Sequence, residues 1–168
     1  MTQLTLQEVW NFFNQYEKEL KGTKMADYGG SMEVGGKYVK ILITKMKYPL
    51  ASYTMIDFDS GYDLMKPIKE KFTSGICMDL LEHVDNPFTV AKNIQDSLEK
   101  GSLLFVTAPF SWGYHEYPVD YWRFTHTGLI KLFTKMDYVG VRIEKDDVPP
   151  PEGWTMPLQR VVGVFRKK

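Results

Sequence analysis

The run Ser102-Leu103-Leu104-Phe105-Val106-Thr107-Ala108 constrains the fold more than any other segment. A stretch without charge or polar alternation does not suit a strand with one wet face. It suits a strand buried on both faces of a parallel sheet. Phe72 to Met78 is a second run of the same kind. Between the two, Asn86-Pro87 reads as a helix start, a cap residue followed by proline at the first helical position. Phe88, Ala91, Ile94 and Leu98 then recur at helical spacing, and Gly101 is placed to close the helix. Strand, helix and strand in this order form a parallel crossover unit.

The rest of the chain extends the alternation. Thr5-x-x-Glu8 is a capping box, and Leu6, Val9, Trp10, Phe13, Tyr16 and Leu20 predict an amphipathic helix over 6–20. Lys24 to Tyr28 predicts a short strand ending at Gly29-Gly30, and Tyr38 to Met46 a helix after a glycine-rich turn. Tyr53 to Phe58 predicts a strand that stops in the turn cluster Asp57-Phe58-Asp59-Ser60-Gly61. Thr125 to Met136 predicts a helix, and Tyr138 to Glu144 and Arg160 to Arg166 predict closing strands. Asp146 to Gly153, with three consecutive prolines, cannot be regular structure. The expected fold is α/β: a single doubly wound Rossmann-like domain with a mostly parallel sheet, helices on both faces and an antiparallel final strand. Within 1–168 we expect an N-terminal helix (1–22), a core (23–144) and an irregular proline-rich crossover with the last strand (145–168).

Composition removes several classes of function. Lys plus Arg equals Asp plus Glu, 21 against 21, so no net field recruits a polyanion and nucleic acid is not expected as a partner. The one cysteine, Cys77, lies in an apolar run and reads as a buried small hydrophobe in a reducing compartment. No signal-peptide pattern occupies the start, and no apolar run approaches the ~18 residues of a bilayer span. A cytoplasmic protein without membrane contact is the expectation. The three histidines and lone cysteine show no ligand spacing, so no metal is expected.

The segment after Ala108 is a long loop crowded with Trp, Tyr, His, Asp and Arg. Loops beyond the carboxyl ends of parallel strands are where open α/β sheets place ligands. Here the residues carry a resemblance. Leu81-Glu82-His83-Val84, the Asn86-Pro87 helix start, the strand ending in Ala108-Pro109, and Pro118-x-Asp120-Tyr121-x-Arg123-Phe124-Thr125-x-x-Gly128 follow in order. This ordered set resembles the small class I S-adenosylmethionine-dependent methyltransferases of the group often called type 11. The likeness covers about residues 23 to 144 and is strongest from Asp79 to Leu129.

The resemblance implies S-adenosylmethionine as cofactor, and the residues suit its chemistry. A tight glycine turn lets backbone N–H groups approach a ligand without an intervening side chain; Asp27-Tyr28-Gly29-Gly30-Ser31 occupies that place. The family's first motif reads acid-x-Gly-x-Gly, and Ser31 stands at its second glycine. A carboxylate ending the second strand can accept both ribose hydroxyls. Asp57, with Phe58 beside it, fits that position; Asp59 is second choice, and Asp63 is placed toward the adenine. Met78 and Asp79, ending the family's fourth strand, pass close to the adenosine and methionine parts. The family's third strand has room only as a stub at Tyr62 to Met65.

On the acceptor side we expect Glu82, Trp112, Tyr114, Asp120 and Arg123. The aromatic residues, with Tyr117, Tyr121 and Trp122, either roof the core or line the acceptor cleft. Arg123 either pairs with Asp120 or binds an anionic substrate. Methyl transfer from a sulfonium is an in-line displacement governed by alignment, and an oxygen acceptor needs a base. His115 is the first candidate and His83 the second, while His126 reads as part of a helix first turn. The acceptor is expected to be a small molecule or sugar-like group, and a homodimer could close so small a pocket. The competing reading is a non-catalytic relative with a degenerate cofactor site. A nicotinamide dehydrogenase wants G-x-G-x-x-G, which is absent. A nucleic-acid base methyltransferase wants Asn/Asp-Pro-Pro-aromatic after the fourth strand, and Thr107-Ala108-Pro109-Phe110 is a faint echo after the fifth.

Overall fold

The structure is a computed structural model, and it describes residues 3–30, 39–41, 43–44, 47–116, 119–145 and 148–168. Six strands are formed: β1 Lys24–Tyr28, β2 Ser52–Ile56, β3 Phe72–Met78, β4 Leu98–Ser111, β5 Met136–Lys145 and β6 Gln159–Lys167. They join in one sheet of order β2-β1-β3-β4-β6-β5. The first four run parallel, and β6 is antiparallel to both of its neighbours. The final strand is therefore the reversed one, as expected.

The apolar run in β4 is buried because both sheet faces are covered. On one face pack α1 (Gln3–Gln15), α2 (Glu17–Leu20) and the helical residues 39–41 and 43–44. Val9, Phe12, Phe13, Leu20, Val39 and Ile43 meet Met25, Ile76, Leu103, Phe105 and Val162 there. On the other lie α3 (Pro87–Ser97) and α4 (His126–Leu132), whose Val90, Ala91, Ile94, Leu129 and Leu132 meet Ala26, Cys77, Leu104, Val106 and Val161. Alternate residues of β4 thus feed opposite layers, which explains why the run carries no polar period. Cys77 is buried and free, as its surroundings in the sequence implied.

Several boundaries differ for local reasons. The first helix begins at Gln3, ahead of the expected capping box, and breaks at Tyr16 (φ −110°, ψ 22°) into α1 and α2. Asn86 caps α3, its side chain accepting from Thr89 N at 3.1 Å, but α3 stops at Ser97 because Leu98 joins the sheet opposite Phe72. Gly101, with φ +85°, lies inside β4 and does not close a helix. Phe88 is exposed, since the buried stripe of α3 runs through Pro87, Val90, Ala91 and Ile94. Thr125 caps the short α4 through Gly128 N at 3.0 Å, and Met136 already belongs to β5.

The largest correction concerns the stub expected at Tyr62 to Met65. No strand forms there. Residues 57–71 run as successive turns: Gly61 N donates to Phe58 O, Tyr62 N to Asp57 O and Lys66 N to Asp63 O. Asp63 Oδ1 accepts from Met65 N at 3.0 Å, and Leu64 and Ile68 anchor the segment in the core. Asn93 in α3 donates to Leu64 O at 2.9 Å. These partners take the backbone donors and acceptors that a strand would need, and β2 is left as the sheet edge.

Candidate functional site

Because β1 to β4 are parallel, their carboxyl ends open on one edge. That edge gathers Asp27 to Gly30, Asp57 and Phe58, Met78 to His83, and the loop following Ser111. Asp27, next to last in β1, is 1% exposed. The Tyr53 hydroxyl of β2 donates to its Oδ2, and its buried Oδ1 has no partner. Burial pushes the Asp27 carboxyl from 3.8 up to about 7; the Tyr53 hydrogen bond opposes this and the Asp57 charge adds to it. A Cβ on Gly30 would lie 2.4 Å from Asp27 Cγ, and one on Gly29 2.6 Å from Leu80 Cδ1. Gly29 also has φ +75°. Both glycines are therefore demanded by what passes beneath the turn. The Tyr28 phenol points the other way, into the core, to Ser97 Oγ at 2.7 Å, so this residue can offer the edge only its backbone. Ser31 lies outside the described residues.

Asp57 is the first residue beyond β2 and is 5% exposed. Its Oδ1 accepts from Ser60 N at 2.7 Å and from the Ser60 hydroxyl, while Oδ2 is buried without a partner. One oxygen caps the turn and the other remains available. Phe58, next to it, is 86% exposed. Asp59 is exposed, and Asp63 is occupied as the cap of Met65. Met78 is buried at the end of β3, and Asp79 follows in the left-handed region at φ +47°. Thr107 Oγ1 donates to Asp79 Oδ1 at 2.9 Å, and Arg160 Nη1 reaches its two oxygens at 2.8 and 2.6 Å. The Arg160 guanidinium stands 5.0 Å from the Trp112 ring centroid. Arg160 was not expected from the sequence; the signal was a cation at the head of the apolar run Val161 to Phe165.

Glu82 and His83 sit in the 3-10 turn Leu81–His83. The Glu82 carbonyl accepts from Tyr121 N at 2.7 Å and Trp122 N at 3.3 Å, tying the aromatic loop to β3. Its side chain is 1% exposed, with Oε2 lacking a partner. Burial pushes the Glu82 carboxyl well above the ordinary carboxylate range; the Asp79 charge adds to this, while Arg160 and Arg123 oppose it. His83 Nδ1 lies 2.7 Å from Val119 O, and His115 Nδ1 lies 3.2 Å from Gly113 O and 3.3 Å from Asp120 Oδ2. The two imidazoles meet edge to face, centroids 5.0 Å apart. Residues 82, 83 and 115, unremarkable as a spacing, each place one ligating atom within 4.8 Å of the others.

Arg123 forms the ion pair with Asp120 that was one of its two readings in the sequence. Nη1 and Nη2 fork onto Asp120 at 2.5 and 2.6 Å, and the remaining donors reach the carbonyls of Trp112, Gly113 and Trp122. That pairing holds the Asp120 carboxyl down at about 2, against its burial and with help from the His115 N–H. Tyr114 is exposed and bonds Glu116, while the Trp122 indole N–H donates to Val84 O at 2.9 Å. Tyr117 lies outside the described residues, and His126 is exposed in the first turn of α4.

No protein-family model matches the sequence, and no curated protein does so significantly. Solved structures share its fold. A Bacillus halodurans protein assigned as a methyltransferase superposes with a TM-score of 0.68 at 13% identity, over 96% of this chain and 98% of that one. The N-methyltransferase NodS of Bradyrhizobium japonicum, solved with S-adenosyl-L-homocysteine, gives 0.62 at 12% identity, over 96% and 85%. TehB of Haemophilus influenzae gives 0.61 at 11% identity; the chain is 94% covered but spans 62% of TehB. The fold is that of the class I S-adenosylmethionine-dependent methyltransferases.

Proposed function

We propose that the chain is an S-adenosylmethionine-dependent methyltransferase acting on a small-molecule acceptor. One observation carries the reading. Asp27 and Asp57, ending adjacent strands beside a glycine turn, each hold a buried carboxyl oxygen without a partner. An unpartnered buried acceptor costs about 1–3 kcal/mol or more, and a ligand bringing hydroxyl and amine donors offsets that cost. The adenosyl cofactor brings a ribose diol and an ammonium, so the residues fit it. Asp57 would take the ribose hydroxyls, and the exposed Phe58 ring offers the adenine an apolar face. Asp27, with the Gly29-Gly30 backbone, would face the methionine part.

When bound, the cofactor supplies an electrophilic methyl group on a sulfonium. This chain's contribution is alignment and exclusion of water, which the loop from Trp112 to Arg123 supplies over the edge. For an oxygen acceptor, loss of the proton falls to the cluster Glu82, His83 and His115. Calorimetric titration of the folded chain with S-adenosylmethionine and S-adenosylhomocysteine tests the reading: saturable binding, abolished or strongly weakened in Asp57→Asn, is expected. The missing third strand favours a second reading, a binding domain that has lost the cofactor. A folded sample that binds neither ligand at millimolar concentration would establish that reading in place of the first.

A further inference from the structure

We propose that Glu82, His83 and His115 form a divalent-cation site whose open positions face the acceptor side of the edge. Three groups able to ligate a cation converge there. Glu82 Oε1 and His83 Nε2 are 3.7 Å apart, beyond hydrogen-bond range, and Glu82 Oε2 is buried with no partner. One ligating atom from each residue falls within 4.8 Å of the others.

The surroundings fix both imidazoles in the ligating tautomer. His83 Nδ1 faces Val119 O, and His115 Nδ1 faces Gly113 O and Asp120 Oδ2. Carbonyl and carboxylate oxygens only accept, so each Nδ1 carries a proton, and in the neutral ring that leaves the lone pair on Nε2. Histidines that ligate metals are oriented in this way, through a carbonyl or carboxylate on the other ring nitrogen. Asp120 is itself clamped by the Arg123 fork. A tetrahedral cation with metal–ligand distances of about 2.05 Å needs its ligands roughly 3.3 Å apart. The Glu82–His83 pair, at 3.7 Å, is close to that spacing, and the His115 atom lies within 4.8 Å of both. Two imidazoles and one carboxylate suit Zn²⁺, Mn²⁺, Fe²⁺ or Co²⁺ and leave coordination positions open.

For the enzyme the consequence rests on the methyltransferase reading. A cation there would bind a hydroxyl of the acceptor and lower its pKa, as metals do for bound water. The two histidines then act as ligands, the acceptor class narrows to hydroxyl compounds, and the released proton passes to solvent.

The test uses chelator-treated full-length chain, titrated calorimetrically with ZnCl2 and, for a visible ligand-field spectrum, with CoCl2, without the nucleoside cofactor. We expect one equivalent bound, with affinity at least ~100-fold lower in Glu82→Gln and His115→Ala and ~10-fold lower in Asp120→Asn, which removes no ligand. Circular dichroism checks each variant. Should Glu82→Gln fail to fold, His115→Ala, a substitution in a surface loop, carries the test. No saturable binding at millimolar metal, or equal binding in wild type and His115→Ala, overturns the proposal. Titrating the same sample with S-adenosylmethionine separates the two ideas. Cofactor binding without metal binding sinks the cation site alone, and metal binding without cofactor binding leaves the site standing while the transferase reading falls.

Discussion

The backbone of Gly30 closes over the carboxylate of Asp27, so that a Cβ there would sit 2.4 Å from Asp27 Cγ and 2.5 Å from Oδ2. The glycine is required by the carboxylate beneath it and not by its own torsion angle. Gly30→Ala should therefore destabilise the fold by about 1–3 kcal/mol, as overpacking does. In an Asp27→Ala background the same change should cost much less. Urea unfolding of the four proteins gives the coupling; additivity would separate the two residues.

The Asp27 carboxyl is raised to about 7 by burial, against 3.8 in its ordinary state. Between those values the folded chain holds a proton that the unfolded chain has lost. The contribution is thus complete below pH 3.8 and disappears as pH rises through 7. At about 1.4 kcal/mol per pH unit, its size is on the order of 4 kcal/mol. Asp27→Asn carries no such proton. Wild-type stability, measured relative to that variant, should fall steadily from pH 4 to pH 7.5, and parallel curves would remove Asp27 as the cause.

Much of this was legible in the chain itself. β1 and β3 have the expected limits because glycine turns or polar residues end both apolar runs. Asp57 could be placed by its position after β2, and the Asn86-Pro87 start held because both residues act locally. What the sequence hid depends on long-range partners. The register of Phe72 with Leu98 ends α3 early. Arg160 reaches Asp79 across 81 positions, and His115 meets His83 only once the loop has folded over β3 and β4. The expectation of a third strand failed because Asp57, Asp63 and Asn93 satisfy that backbone as turns.

Asp57 uses its two oxygens differently, and asparagine separates the uses. Asp57→Asn keeps an acceptor for Ser60 N but turns the unpartnered oxygen into a donor. Stability should change by less than about 1 kcal/mol. Cofactor affinity should drop by roughly 10- to 100-fold, the loss expected for hydrogen bonds to a charged group. Equal affinities in calorimetry would take Asp57 out of the binding site.

Arg160 neutralises Asp79 where that residue already occupies the left-handed region. Arg160→Met keeps the stem but leaves the carboxylate facing Thr107 alone, and breaking a largely buried pair costs about 3 kcal/mol. Adding Asp79→Asn should recover part of this, because asparagine tolerates the same backbone angle without a charge. Thermal unfolding of the single and double variants checks the sign.

Arg123 shows how the loop itself is held. Its fork grips Asp120, and its other donors reach the carbonyls of Trp112, Gly113 and Trp122. Lysine cannot reproduce that geometry, having one rotating ammonium in place of a planar fork. Arg123→Lys should therefore loosen residues 112–123, seen as faster amide exchange across the loop with β1 to β3 unchanged. Asp120 would keep a cation nearby yet lose its bidentate partner, so the orientation of His115 should relax with it. If Arg123 instead bound an anionic substrate, lysine would preserve most of the loop's protection and raise KM for that substrate. Exchange rates in the free protein distinguish the two, because the clamp needs no ligand to be present.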